Sequence, residues 1–221
     1  MKVLIACEES QTVCEAFRKR GFEAYSCDIE DCSGGHPEWH IKDDVLKHLE
    51  GWDLIIAHPP CTYLTIAGAS NIPRDPSRID KGFEAKEFFM KLYNAPCKYI
   101  CVENPVPMKR FELPPYSQIV YPWQFGELVH KKTCLWLKGL PLLKPTNILD
   151  KSLIPMDVWT YSKTGQRKSM SKWFNTGPKD RSKKRSKTFK GIAEAMADQW
   201  GNFLITIGET NGKSNKSTPT L

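Results

Sequence analysis

The sequence predicts an α/β fold, a mixed but mainly parallel sheet with helices on both faces and a small basic appendage. Three observations predict it. Short apolar runs that read as strands alternate with amphipathic helical stretches, the pattern of strand–helix–strand units feeding a parallel sheet. Four of those strands end in polar or reactive residues: Glu8-Glu9, Asp28, Pro60-Cys61 and Glu103-Asn104. In such sheets ligands bind at the carboxyl ends of strands, so these residues should converge on one crevice. The length of 221 residues, with 40% hydrophobic and 26% charged, accommodates one such core plus an appendage and excludes overall disorder.

Each element has its own signal. Lys2–Cys7 is an apolar run that reads as a buried strand. Ser10 or Thr12 can cap the next helix, in which Val13, Ala16 and Phe17 share a face, and Gly21 stops it. Phe22–Cys27 is a second strand, ending at Asp28, and Asp43–Leu49 a short helix. Trp52–Ala57 is a third strand, closed by His58-Pro59-Pro60. Residues 62–80 read as a polar loop with Gly68, Pro73 and Pro76. Phe83–Tyr93 is an amphipathic helix with Ala85, Phe88, Phe89 and Leu92 on one face. Lys98–Val102 is a strand stopping at Glu103-Asn104-Pro105; Gln118–Tyr121 and Thr133–Leu137 are two more. Pro141, Pro145 and Pro155 mark irregular chain, and Gly191–Trp200 is a helix with Ile192, Ala193, Met196 and Trp200 on one side. The chain divides into a core over 1–139 and a small basic region over 140–187, which the family resemblance given below makes a catalytic and cofactor-binding core and a target-recognition region. A helix and strand completing the core over 188–208 and a disordered tail over 209–221 follow.

Positive charge is concentrated. The net charge is +7, yet residues 1–162 carry −2 and residues 191–221 carry −1, so residues 163–190 alone carry +10. A block this dense repels itself unless solvent or a polyanion relieves it, which points to nucleic acid; Trp173 and Phe174 inside it can stack on bases. No apolar run approaches the roughly 20 residues of a membrane helix, and the apolar start meets Glu8 and Glu9 too soon for an export signal. A cytoplasmic protein is expected, with its eight cysteines as reduced thiols and no membrane partner.

The chemistry centres on Cys61 and Glu103. Two prolines stiffen the chain and set the Cys61 thiol outside the sheet, and Glu103 ends a neighbouring strand. A thiol and a carboxyl in one crevice suit attack on an electron-poor ring: the thiolate adds, and a carboxyl kept protonated by partial burial bonds a ring nitrogen. Two weaker patterns compete. Cys27, Cys32, His36 and His40 form C-x4-C-x3-H-x3-H, zinc-type ligands at no standard spacing, and no metal is expected. His58, three residues before Cys61, suggests a Cys–His hydrolase, but the intervening prolines point the two apart.

Pro59-Pro60-Cys61 after an apolar strand, followed by Val102-Glu103-Asn104-Pro105 at the next strand end, resembles the DNA cytosine-5 methyltransferase family, in particular its compact phage and prophage forms. The resemblance covers residues 2–138, with an echo at 186–204. It implies a Rossmann-like class I fold, S-adenosylmethionine as cofactor, and a bacterial or phage-infected cell. Cys7, Glu8, Glu9 and Ser10 stand in the first cofactor loop, Asp28 and Ile29 at the ribose, Asp44 at the adenine amino group, and Pro59 and Asn202 in further cofactor motifs. Phe125-Gly126 and His130-Lys131-Lys132-Thr133 resemble the basic motif that meets the base and phosphate, which implies a catalytic role for Lys132 beside Cys61 and Glu103. Pro60, Asn104, Lys131, Arg181, Lys184 and Arg185 are the implied substrate contacts. Loop 62–80 would be the lid over a flipped base, with Arg74 and Arg78 on phosphate.

Three departures are visible. The first loop, Ala6-Cys7-Glu8-Glu9-Ser10-Gln11, lacks the family's glycines; Cys134 replaces one of its arginines; and Pro105 follows Glu-Asn where valine is usual. The implied function is methyl transfer to C5 of cytosine in DNA through a cysteine–C6 adduct. The alternatives are the same chemistry on RNA or a pyrimidine nucleotide, and a nucleic-acid-binding relative without catalysis. Calorimetry with S-adenosylmethionine and mass spectrometry of nucleosides separate them. Target site and oligomeric state have no signal in the sequence.

Overall fold

A computed structural model describes residues 1–160, 165, 167–175 and 187–214. Seven strands form the main sheet: β1 (Lys2–Ala6), β2 (Glu23–Asp28), β3 (His40–Lys42), β4 (Leu54–Ala57), β5 (Ile100–Pro105), β6 (Gln118–Val120) and β7 (Thr133–Lys138). Their order is β3-β2-β1-β4-β5-β7-β6, with β7 antiparallel to both its neighbours and the other pairs parallel. This is the expected fold class, a mixed, mainly parallel Rossmann-like sheet with helices on both faces. Strand order reverses between β1 and β4, so their carboxyl ends open the crevice at the switch point.

Alternation along the strands builds the two cores. Val3, Ile5, Leu54, Ile56, Cys101 and Leu135 face one side with Val13 and Phe17 of α1 (Thr12–Arg18) and Ile192, Met196 and Trp200 of α3 (Lys190–Ser214). Leu4, Ala6, Ile55, Ala57, Ile100, Val102 and Trp136 face the other with Phe89 and Leu92 of α2 (Arg78–Tyr93). Both faces are covered, which is why the central strands read as unbroken apolar runs. At Gly191 a side chain would strike the Phe125 carbonyl, so glycine lets the first turn of α3 sit against that backbone.

Several elements differ from expectation. β5 runs on through Glu103 and Asn104 to Pro105, because β7 continues to pair with it (Glu103 with Leu135, Asn104 with Cys134, Pro105 with Thr133). β4 stops pairing at Val102, so the far side of β5 tolerates a proline. The short helix expected at Asp43–Leu49 is a single 3₁₀ turn at Val45–Lys47, preceded by the short strand β3. The expected strand within 188–208 is helix: α3 continues to Ser214, past the point where a disordered tail was expected. Packing overrides β-propensity there, with Leu204 buried and Phe203 and Ile207 against the core. The 140–187 region holds a hairpin of β8 (Met156–Thr160) and β9 (Arg167–Ser171). No helix among the described residues is long and apolar enough to cross a membrane.

Candidate active site

The loop after β1 solves a capping problem. The first N–H groups of α1 lack intrahelical partners. Ser10 and Thr12 do not supply them; their hydroxyls bond each other at 3.1 Å, and the N-cap is Gln11 with no side-chain cap. The buried Glu8 carboxylate reaches forward instead, accepting from Val13 N–H at 2.7 Å and Cys14 N–H at 3.2 Å. Burial raises its pKa against the opposing pull of His58 and these two N–H groups. Cys7 and Gln11 both take left-handed backbone (φ 59 and 58), the conformation for which glycine is the default. The loop keeps a glycine-like path with bulkier residues.

Those side chains have uses. The Gln11 amide donates to His36 O at 2.7 Å and accepts from His36 N–H at 3.0 Å, tying down the β2–β3 connection. The Cys7 thiol is pushed well up by burial first, then by Asp28, Cys27 and Asp44. The fold therefore gathers Cys7, Asp28 and Asp44 into one acidic cradle. Asp28 accepts from Glu30 N–H at 3.0 Å and Asp44 from Leu46 N–H at 3.0 Å, which fixes one oxygen of each. Both Glu9 oxygens are shielded from solvent and have no hydrogen-bond partner among the described residues. A cationic ligand group is the natural complement of that carboxylate. The sulfonium and ammonium of S-adenosylmethionine are such groups, so this donor set fits that cofactor. Ile29 is 73% exposed beside it.

Glu103 lies close enough to Cys61 to raise its thiol, and is itself held by His58. Register sets this: Ala57 pairs with Val102, so the next residues, His58 and Glu103, stand side by side at the end of the α1/α3 face. His58 Nδ1 lies 2.9 Å from Glu103 Oε2, with both side chains buried, and Thr188 Oγ1 lies 3.4 Å from the same nitrogen. Burial pushes the Glu103 carboxyl up, but Lys131 and the bond from His58 outweigh it and hold it below the ordinary range. The expectation of a carboxyl kept protonated by burial is thus corrected for the ligand-free protein. The Cys61 thiol is raised, by burial first and Glu103 second, with Lys131 opposing.

The structure redistributes other roles. Lys131 acts on both Cys61 and Glu103, whereas the exposed Lys132 acts on the Cys134 thiol; the cation beside Cys61 and Glu103 is Lys131 and not the expected Lys132. Asn104 points to the opposite face from Glu103, fully buried, its amide without a partner among the described residues. Pro59 is buried and Pro60 exposed. Asn202 is not brought to the crevice. It bonds Asp198 at 3.2 Å, next to Gly201, which packs on Phe22 ahead of β2 at the far end of the sheet. Arg78 opens α2, donates to Thr62 O at 3.0 Å and lies 4.7 Å over the Tyr63 ring. Nor is the start of loop 62–80 a free lid, since Leu64 O accepts from Met108 N–H and Ile66 N–H donates to Val106 O.

Of the basic block, the described ends flank the crevice. Lys187 Nζ donates to Ser33 Oγ at 3.4 Å, and Phe189 and Trp173 pack at 5.1 Å, with Lys131 Nζ 5.7 and 5.9 Å from their rings. Arg181, Lys184 and Arg185 lie outside the described residues. Three of the four zinc-type residues have other partners: His40 bonds Ser26 Oγ and Glu30 O, each at 2.9 Å, His36 bonds Glu38 at 3.1 Å, and Cys27 donates to Asp43 O at 3.6 Å. The nearest polar partner of His58 Nδ1 among the described residues is Glu103.

No family model matches the chain, and no curated protein sequence does. Solved structures with a similar course include an E. coli prophage-encoded protein described as a DNA modification methyltransferase (TM-score 0.42, 14% identity, 67% of this chain, 51% of that one). The Entamoeba histolytica methyltransferase EhMeth is another (0.43, 16%, 67% and 57%), and the S. pombe Dnmt2 methyltransferase a third (0.40, 16%, 64% and 51%). The matched part of each is a little over half its length.

Proposed function

We propose that this chain transfers a methyl group from S-adenosylmethionine to C5 of cytosine in DNA, through a covalent bond between Cys61 and C6. The observation that carries the proposal is the meeting of Cys61, Glu103 and Lys131 at the joint end of β4 and β5, with the acidic cradle of Cys7, Asp28 and Asp44 at the same end of the sheet and the unpartnered Glu9 carboxylate in the loop after β1. Asp28 would hold the ribose hydroxyls, Asp44 the adenine amino group, and Glu9 a cationic group. S-adenosylmethionine bound there supplies the methyl that C5 accepts.

The chain's own residues do the rest. Lys131 offsets the burial of Cys61 and favours its thiolate. As the base binds, Glu103, ionised until then, takes up a proton from solvent and shares it with N3 while the thiolate adds to C6, which makes C5 nucleophilic. After methylation, water takes the C5 proton, the C6–S bond breaks, and the N3 proton returns to Glu103. A duplex base must first leave the stack, which costs about a few kcal/mol. The cationic segment ending at Lys190 supplies phosphate contacts, and Trp173 and Phe189 an aromatic wall.

Duplex DNA carrying 5-fluorocytosine tests this, because fluorine blocks the last proton loss. The wild-type protein with S-adenosylmethionine should form an adduct that survives denaturing electrophoresis, and Cys61→Ser should form none, since a hydroxyl is a far weaker nucleophile than a partly ionised thiol. An adduct that persists in the Ser variant removes Cys61 from the mechanism. A second reading is the same chemistry on a uracil ring in RNA or a nucleotide, favoured by the depressed Glu103: a carboxylate accepts from the N3–H of uracil. A 5-fluorouracil substrate trapped in preference to 5-fluorocytosine establishes it.

A further inference from the structure

We propose that His58 is a positioning residue for Glu103: its Nδ1–H occupies Oε2 and so reserves Oε1 for the ring nitrogen of the substrate. This rests on the function proposed above. His58 Nδ1 and Glu103 Oε2 are 2.9 Å apart between two nearly enclosed side chains. Bonding to a carboxyl oxygen requires the imidazole proton on Nδ1. That leaves Nε2 as a bare nitrogen, which agrees with its burial without a partner among the described residues. A protonated Nε2 would bury an unpaired donor. With Oε2 already accepting from His58, a proton gained by Glu103 resides on Oε1, and the carboxylic acid keeps its bond to His58 while donating to N3. The same contact holds the carboxylate for an N3–H partner. Either way one side chain fixes which oxygen meets the base.

The surroundings leave this to His58. It faces Glu8 from the loop after β1, Glu103 on β5, and Thr188 ahead of α3; Glu103 in turn faces Lys131 and Cys61. Thr188, at 3.4 Å from Nδ1, is the weaker contact. The bond from His58 also favours the ionised Glu103, so its loss moves the Glu103 titration to higher pH.

Two substitutions separate the roles. Asn places its amide nitrogen where Nδ1 stood, and Gln places its amide near Nε2, so His58→Asn keeps the donor to Oε2 and His58→Gln loses it. The rate of 5-fluorocytosine adduct formation is measured from about pH 4 to 9, so that the wild-type Glu103 titration falls towards the lower end of the range, with thermal melting and S-adenosylmethionine calorimetry as controls. His58→Gln should be slower by about 10- to 100-fold, the loss of one hydrogen bond to a charged group. Its decline in rate with rising pH should lie at higher pH than in the wild type. His58→Asn should stay within about threefold of wild type with an unmoved profile. Gln as fast as wild type, or Asn as slow as Gln, overturns the inference alone. A wild type that forms no adduct at any pH overturns the proposed function, and this inference with it.

Discussion

Replacing Glu8 by Ala tests whether the first loop is read correctly. The sequence assigns Glu8 to the cofactor, whereas the structure places both its oxygens on the N–H groups of Val13 and Cys14. Two hydrogen bonds to a charged acceptor are worth about 1.5–3 kcal/mol each, roughly 3–6 kcal/mol together. Relief of the burial that raises the Glu8 pKa returns part of this, leaving a net loss of about 3 kcal/mol. For a chain of this size that lowers the melting temperature by about 6–12 °C. The pH dependence has a definite sign. A carboxyl whose folded pKa is raised binds its proton more tightly when folded, so its contribution to stability grows as pH falls through the folded value and shrinks as pH rises through it. The difference between wild type and Glu8→Ala should therefore be larger at pH 5 than at pH 7, with the other carboxylates cancelling. Urea denaturation of both proteins at the two pH values measures it. A melting temperature within about 2 °C of wild type, or a stability gap that narrows at pH 5, would refute the capping role.

Two other expectations use the same crevice. Lys131→Ala should slow adduct formation at pH 7 and move its thiolate-dependent rise to higher pH, because Lys131 opposes the burial that raises Cys61; Lys132→Ala should match wild type. Equal pH profiles for the two variants would return Lys132 to the site. Asp28→Ala should weaken S-adenosylmethionine binding in calorimetry by about 10- to 100-fold, from the loss of a charged acceptor, while Asn202→Ala leaves it unchanged. A weakened Asn202 variant would bring α3 back to the cofactor.

The contrast between Lys131 and Lys132 shows where sequence reading reaches its limit. Strand identity was legible because burial on both faces leaves long apolar runs, and polar residues at their ends mark the crevice. Glu8, Asp28, Cys61 and Glu103 all lie where those runs end, in the part of the molecule the pattern pointed to. A basic pair ahead of β7 was equally legible, but which lysine faces Cys61 depends on how the chain enters the strand, and no apolar pattern spans residues 126–132 to set a phase.

His58 is the opposite case, a residue whose role had a signal that went unused. Side chains alternate at a period of two, so once β4 and β5 are paired through Ala57 and Val102 the next residues share a face. The dipeptides His58-Pro59 and Glu103-Asn104 then predict a His–Glu pair on one side and set Pro59 and Asn104 on the other, which the buried Asn104 confirms. Helix geometry explains Asn202. A helix rises about 1.5 Å per residue, so a residue twelve positions into α3 lies roughly 18 Å from its start. Because α3 begins beside His58, through Thr188, and ends near Met1, through Gly208, Asn202 had to fall at the amino end of the strands. A local motif match cannot see that distance; the length and direction of the helix can.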